Sequence, residues 1–302
     1  MPRSGTTFFT HLINSSKEFS TFKYKDLPFY TIPIFWNYFS NIFYGNKRKI
    51  QRPHGDNLFI NKFSPDAFEE LIWKNNLLDY SKNGYWQFID DNNSSNISKV
   101  LELYIKKLIY INKKNKYLSK NNNNIFRIKY ILSKFPNSKI VLILRNPIDT
   151  SISLAKVHLK FLKLHNLNNK FSEEIKLLGH EEFGYNRKLF ELDNINKFSK
   201  LKENNSQIKI YINKCLELNY FIIKNYLEEI KNGKIIVVDF DKLEKFDDIK
   251  KFLKIIKIEN TELVDEYFKK NFNKKKYSYN MHKNNYENLL ENYRILQEYS
   301  VI

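Results

Sequence analysis

Short, uninterrupted apolar runs alternate along the chain with longer stretches in which apolar residues recur every three or four positions. Lys139-Ile-Val-Leu-Ile-Leu144 and Ile235-Ile-Val-Val-Asp239 are the clearest runs, and their β-branched, continuous character predicts strands buried on both faces. Phe19 to Tyr24 reads as a weaker strand and Tyr117 to Ser119 as a fourth. The periodic stretches predict helices. Leu216, Tyr220, Ile223, Leu227 and Ile230 share one helical face, and Gly233 follows where a left-handed cap would end it. Ile148, Ile152, Ala155, Leu159 and Leu162 mark another face after Pro147, and Val100, Leu101, Tyr104, Ile105 and Leu108 a third. Ser64-Pro65-Asp66 has the capping residue, the proline and the acid that open a helix. Strands alternating with helices predict an α/β fold, a mostly parallel, doubly wound sheet flanked by helices that binds ligands at the carboxyl ends of its strands. No internal repeat or linker divides the chain, so a single domain over residues 1–302 is expected. Phe29 to Phe43 is the most aromatic segment; Pro33, Asn37 and Asn41 break it well short of a membrane span, and it reads as core or as the wall of an apolar pocket.

Composition narrows the function classes. The 302 residues carry 51 Lys+Arg against 33 Asp+Glu, a formal charge of +18 whose field attracts polyanions, anionic lipid or a multiply phosphorylated ligand. Lysine supplies 44 of those cations and arginine 7, a skew that, with the many Asn and Ile, matches the codon bias of an A/T-rich genome. The lysines are spread along the chain and no nucleic-acid-binding motif accompanies them, so no nucleic-acid partner is expected. Cys215 is the only cysteine, which excludes an intrachain disulfide and a cysteine metal site and leaves it the role of a small apolar residue in a helix. His180-Glu181-Glu182 lacks the HExxH spacing of a zinc site, and no metal is expected. With no signal pattern at the N-terminus and no apolar span, a cytoplasmic location is the expectation.

Two loops carry candidate chemistry. Arg3, Ser4, Gly5, Thr6 and Thr7 stand directly before Phe8, Phe9, Leu12 and Ile13, so they form the loop and first turn of a helix. Free amides and the helix dipole there attract an anion, Gly5 permits close approach, the threonines add donors and Arg3 adds charge. The same residues also serve as an ordinary helix cap. Arg145 emerges at the carboxyl end of the second loop's strand, ahead of Asn146-Pro147 and a helix containing Ser153. A salt bridge closing the strand end is the plainer reading of Arg145, yet two of only seven arginines head these two loops.

Pro2-Arg-Ser-Gly-Thr-Thr7 closely resembles the 5′-phosphosulfate loop of sulfotransferases, and Arg145 with Ser153, preceded by Phe135-Pro136 and a strand, resembles their 3′-phosphate segment. Tyr117 to His158 is similar to the same stretch of bacterial sulfotransferases. Leu178 to Gly184 and Arg52-Pro-His-Gly-Asp56 resemble one bacterial subgroup, and Val237 to Leu243 resembles the family's Tyr-Glu-Asp-Leu region. The resemblance implies a P-loop-type sheet and, as sulfuryl donor, 3′-phosphoadenosine-5′-phosphosulfate (PAPS). Arg3, Ser4, Gly5, Thr6 and Thr7 would hold the phosphosulfate, and Arg145 and Ser153 the 3′-phosphate. It implies as partner a small-molecule, lipid, carbohydrate or tyrosine acceptor. The family places a hydrophobic strand immediately before the first loop, so the first central strand is expected to be missing before Met1.

Sulfuryl transfer needs cations at the bridging and leaving oxygens and a base for the acceptor hydroxyl. Lys120 matches a lysine that contacts the phosphosulfate in the protein-tyrosine sulfotransferase branch, and its plainer reading is a solvated lysine beside the Asn121 to Asn124 run. Arg3 and the Thr6 and Thr7 donors would complete the electrophilic set. Asp26, 19 residues beyond Thr7, lies close to that branch's catalytic Glu, and His54 is the alternative base. His158 reads as a ligand contact or as a satisfied core histidine. The rival functions are a P-loop nucleotide-dependent kinase, because Ile235 to Asp239 imitates a Walker B strand, and a non-enzymatic polyanion-binding protein. The first loop lacks the lysine that a kinase requires.

Overall fold

The computed structural model describes residues 2–43, 49–51, 59–77, 81–82, 85–86, 89, 96–167, 173, 182–185, 187, 189–190, 207–274 and 290–302. Its strands are β1 (Phe19–Ser20), β2 (Ile50–Gln51), β3 (Phe59–Ile60), β4 (Ser81–Lys82), β5 (Tyr85–Trp86), β6 (Lys116–Tyr117), β7 (Ile140–Leu144), β8 (Leu189–Phe190) and β9 (Ile235–Asp239). The helices that matter below are α1 (Thr6–Ser15), α2 (Pro33–Phe43), α3 (Glu70–Asn76), α4 (Ile97–Asn112), α5 (Ile128–Lys134), α6 (Pro147–Leu167), α7 (Gln207–Lys231), α8 (Lys250–Ile255), α9 (Thr261–Asn271) and α10 (Glu291–Glu298).

The two strongest apolar runs find each other. β7 and β9 pair in parallel over five positions, from Ile140 opposite Ile235 to Leu144 opposite Asp239. Side chains alternate across a strand, so each face feeds its own core. Ile143, Ile236 and Val238 join Phe9, Leu12, Phe252 and Val264 on one side. Leu142, Leu144, Ile235 and Val237 join Leu218, Ile222 and Tyr226 on the other. Helices therefore cover both faces, and the chain is an α/β protein with short parallel strands. β1 and β6 form a second parallel pair. β2–β3 and β4–β5 are antiparallel, and β5 pairs with β8 in parallel.

Three expectations change. The strand predicted from Phe19 to Tyr24 ends at Ser20, because Tyr24–Asp26 coils into a 3₁₀ turn closed by the Asp26 carboxylate. Tyr24 and Lys25 then donate backbone bonds to Ser64 and Lys62. That docking uses Pro65 in an isolated bridge with Lys23, so Ser64-Pro65-Asp66 does not open a helix and α3 begins at Glu70. The helices after Pro147 and before Gly233 form, and Ile152 and Ala155 of α6 and Leu216 and Ile230 of α7 are buried as predicted, but the rest of each buried face differs. α6 buries Ser151 to Ala155, Val157, His158 and Phe161 and leaves Leu159 49% exposed. α7 buries Tyr211, Cys215, Leu218, Ile222 and Tyr226 and leaves Tyr220 49% exposed. The two helices pack along each other, so burial spreads beyond one stripe. Gly233, at φ 74°, ends α7 as expected, and Cys215 is a fully buried helical residue whose thiol burial pushes up to about 11. Among the described residues no helix is long and apolar enough to cross a membrane.

Candidate functional site

The first loop bends through two left-handed residues, Arg3 at φ 67° and Gly5 at φ 102°. A Cβ on Gly5 would lie 2.6 Å from the Phe240 ring, so both the conformation and the close approach require glycine. Gly5 is the N-cap of α1 and has no side chain to cap it, and no acid occupies the first turn. The positive end of this helix thus meets no carboxylate from its own first turn. Phe9, Leu12 and Ile13 lock α1 into the core, so the loop stands on a fixed base.

β7 delivers the second loop to the same place. Arg145 Nη1 donates to the Arg3 carbonyl at 3.0 Å, and its guanidinium lies 5.4 Å from the centre of the Phe240 ring. Arg3 Nε donates to Ser153 Oγ at 3.0 Å. Residues separated by 142 and 150 positions in sequence therefore meet at Arg3, and Arg145 and Gly5 both lie against Phe240, the residue that follows β9. Asn146 caps α6 by accepting from Ile148 N at 2.9 Å, with Pro147 in the first turn. The Asp241 carboxylate accepts from Asn146 N and from Tyr293 Oη.

Asp239, the acid of the Walker B-like strand, is fully buried. Its Oδ1 accepts from Asp241 N at 2.9 Å and its Oδ2 from Gln297 Nε2 at 2.7 Å. Both oxygens are thus occupied, Oδ1 in capping the turn after β9 and Oδ2 in holding that end of the strand against α10.

The Lys120 loop is fastened by an acidic segment that sequence reasoning missed. Lys120 Nζ donates to Asp66 Oδ1 at 3.0 Å, and Tyr24 Oη donates to Asp66 Oδ2 at 3.0 Å. Ser119 and Tyr117 donate to Glu69 at 2.5 and 2.7 Å. Asn121, Asn123 and Arg127 converge on Glu70, Arg127 in a bidentate pair at 2.6 and 3.0 Å. All three acids are buried; burial pushes the Glu69 carboxyl up, a rise the Ser119 and Tyr117 hydrogen bonds oppose. Lys120 is a largely covered, paired lysine rather than a solvated one. The same loop reaches the first: Thr6 Oγ1 donates to Asn122 Oδ1 at 3.4 Å. The signal for these acids was present as Asp66, Glu69 and Glu70 near a helix start, where acids ordinarily complement the dipole.

Asp26 stands apart. It is buried, its Oδ2 accepts from Lys23 N at 3.0 Å and its Oδ1 from Lys25 Nζ at 2.7 Å. Lys25 Nζ continues to Asn37 of α2 at 3.1 Å. Among the described residues Asp26 makes no hydrogen bond to Lys120 or to the Arg3 loop. His158 is a buried histidine whose Nδ1 accepts from Gly184 N at 3.2 Å, and burial, then Arg187 and Lys214, push its pKa down to about 4. His54, Arg52, Asp56, His180 and Glu181 lie outside the described residues. No cluster of three His, Cys, Asp or Glu suited to a metal ion occurs among the described residues.

A profile of the sulfotransferase family matches residues 1–197, a stretch holding both loops, the acidic segment and α6. The chain belongs to the sulfotransferase family, whose reaction class is the transfer of a sulfuryl group. Neither the curated proteins nor the solved structures gave a match.

Proposed function

We propose that this chain, as a single P-loop-type, doubly wound domain, transfers a sulfuryl group from PAPS to a hydroxyl or amine of an acceptor. The observation that supports this most is the convergence of Arg3, Arg145 and Ser153 around one turn of backbone. In the proposal the Arg3–Thr7 loop and the start of α1 grip the 5′-phosphosulfate, and Arg145 with Ser153 takes the 3′-phosphate. Lys120 and Arg3 stabilise charge as the bond between sulfur and the bridging oxygen breaks, and 3′,5′-ADP leaves. The acceptor oxygen or nitrogen bonds to sulfur as its proton passes to Asp26. Accepting that proton requires Asp26 to loosen its pairing with Lys25. Asp26→Asn should therefore keep nucleotide affinity, lower the melting temperature, and reduce turnover about 10²- to 10⁴-fold. Near-normal turnover would move the role to another group.

The kinase reading is weakened by the buried, doubly committed Asp239 carboxylate. Melting experiments separate the two readings, because a ligand that binds only the folded state raises the melting temperature by mass action. We expect 3′,5′-ADP to raise it well above the shift from ATP with Mg²⁺. Equal shifts would contradict PAPS as donor.

A further inference from the structure

α2 is built with its apolar side outward. Its inward face is Pro33, Trp36, Asn37 and Ser40, fixed by Trp36 Nε1 donating to the Lys25 carbonyl at 2.6 Å and by the Lys25–Asn37 bond. The outward face carries Ile34, Phe35 (62% exposed), Tyr38 (83%), Phe39 and Ile42 (75%), preceded by half-exposed Phe29 and Ile32. The helix has no charged residue. A surface helix ordinarily does the reverse, and exposed apolar patches of a few hundred Å² mark contact surfaces.

The neighbouring helix states what kind of surface. Lys107 of α4 lines an open groove of about 580 Å³ together with Ile32, Phe35, Tyr38 and Phe39. Leu103 (55%) and Tyr110 (74%) flank it on the same side of α4, with Lys99 and Lys106 exposed beside them. The one acid of α4, Glu102, pairs with Lys106 at 2.6 Å. An uncharged aromatic and aliphatic face edged by lysines, on a chain of net charge +18, has the chemistry of an interfacial helix on a negatively charged bilayer: rings enter the headgroup boundary and ammonium groups meet lipid phosphates.

We propose that the outer face of α2, continued by Leu103, Lys106, Lys107 and Tyr110 of α4, docks the protein peripherally on an anionic lipid bilayer. This goes beyond the sulfuryl-transfer reading and stands without it.

The test is co-sedimentation of the full chain with vesicles of phosphatidylcholine alone and of phosphatidylcholine containing roughly 30% phosphatidylglycerol. We expect sedimentation with the anionic vesicles, weakened at about 0.5 M salt, where charges are screened within a few ångströms. Phe35→Ser/Tyr38→Ser changes only exposed side chains and should keep the melting temperature while lowering partitioning at least about tenfold. Ile42→Ser provides an independent apolar variant. Lys106→Gln/Lys107→Gln should cost about fivefold per lysine on anionic vesicles and little on neutral ones. The proposal is overturned if wild-type protein stays in the supernatant with both vesicles or binds both equally. It is also overturned if neither apolar variant loses binding. A dimer in solution that Phe35→Ser/Tyr38→Ser converts to monomer, without vesicle binding, would assign the face to a second copy instead.

Discussion

Gly5 concentrates the demands of the first loop in one position: a left-handed backbone and a ring where a side chain would begin. Gly5→Ala should lower stability by about 1–3 kcal/mol from backbone strain and displaced packing and weaken 3′,5′-ADP binding with it. Phe240→Leu in the same background relieves the clash but not the φ strain, so recovery should be partial in denaturant melts. His158 makes a separate prediction. Its folded pKa, about 4, lies below the ordinary 6.5, so the unfolded chain binds more protons between those values. The stability it supports is present above about pH 6.5 and is lost as pH falls toward 4. Denaturation series across that range should show this loss, and His158→Gln should flatten part of it. His165, pushed down in the same direction by burial, accounts for a remainder. An unchanged profile in His158→Gln would show that folding does not lower the pKa of this histidine.

At the scale of elements, the segment Asp66–Glu70 acts as a clamp on the chain from Tyr117 to Arg127. Glu70→Gln leaves the Arg127 guanidinium buried without its counter-charge, and a loss of about 3–5 kcal/mol is expected. Replacing both partners by apolar residues should cost less. A loss under about 1 kcal/mol in the single variant would mean that water reaches Arg127. These elements also explain what was legible in advance. β7 and β9 were readable because strands buried on both faces admit no polar residue until their ends. Ser64, read as a helix cap, bonds to Asn61 instead, and Asp66 Oδ1 accepts from Ala67 N at 2.8 Å in a turn before α3, because Pro65 is engaged by Lys23. The faces of α6 and α7 were readable only in part, at Ile152, Ala155, Leu216 and Ile230, because Leu, Ile and Tyr occupy several sides of each helix and the neighbour decides which side is covered. The loops bearing Arg3 and Arg145 stood out through rare arginines. Asp66, Glu69 and Glu70 did not, because their partners lie about fifty residues away. Of the two readings of Phe29 to Phe43, core and wall of an apolar pocket, the groove lined by Ile32, Phe35, Tyr38 and Phe39 fits the second, because Trp36 turns inward and most of its large apolar neighbours do not.

For the whole molecule, a charge of +18 brings polyanions to every face, so binding to anions by itself is weak testimony for a nucleotide site. Discrimination between nucleotides differing by one phosphate is stronger, because a diffuse field falls with salt and a built contact does not follow it. The central claim is that the α/β fold joins the Arg3 loop to Arg145 and Ser153 in one site for a 3′-phosphorylated nucleotide. Its most direct test is calorimetry of 3′,5′-ADP against 5′-ADP, on wild type and Arg145→Ala, at about 0.15 M salt. Wild type should prefer 3′,5′-ADP, and Arg145→Ala should lose about 1.5–3 kcal/mol with that ligand and little with 5′-ADP. Equal affinities in wild type, or equal losses for both nucleotides in Arg145→Ala, would contradict the claim.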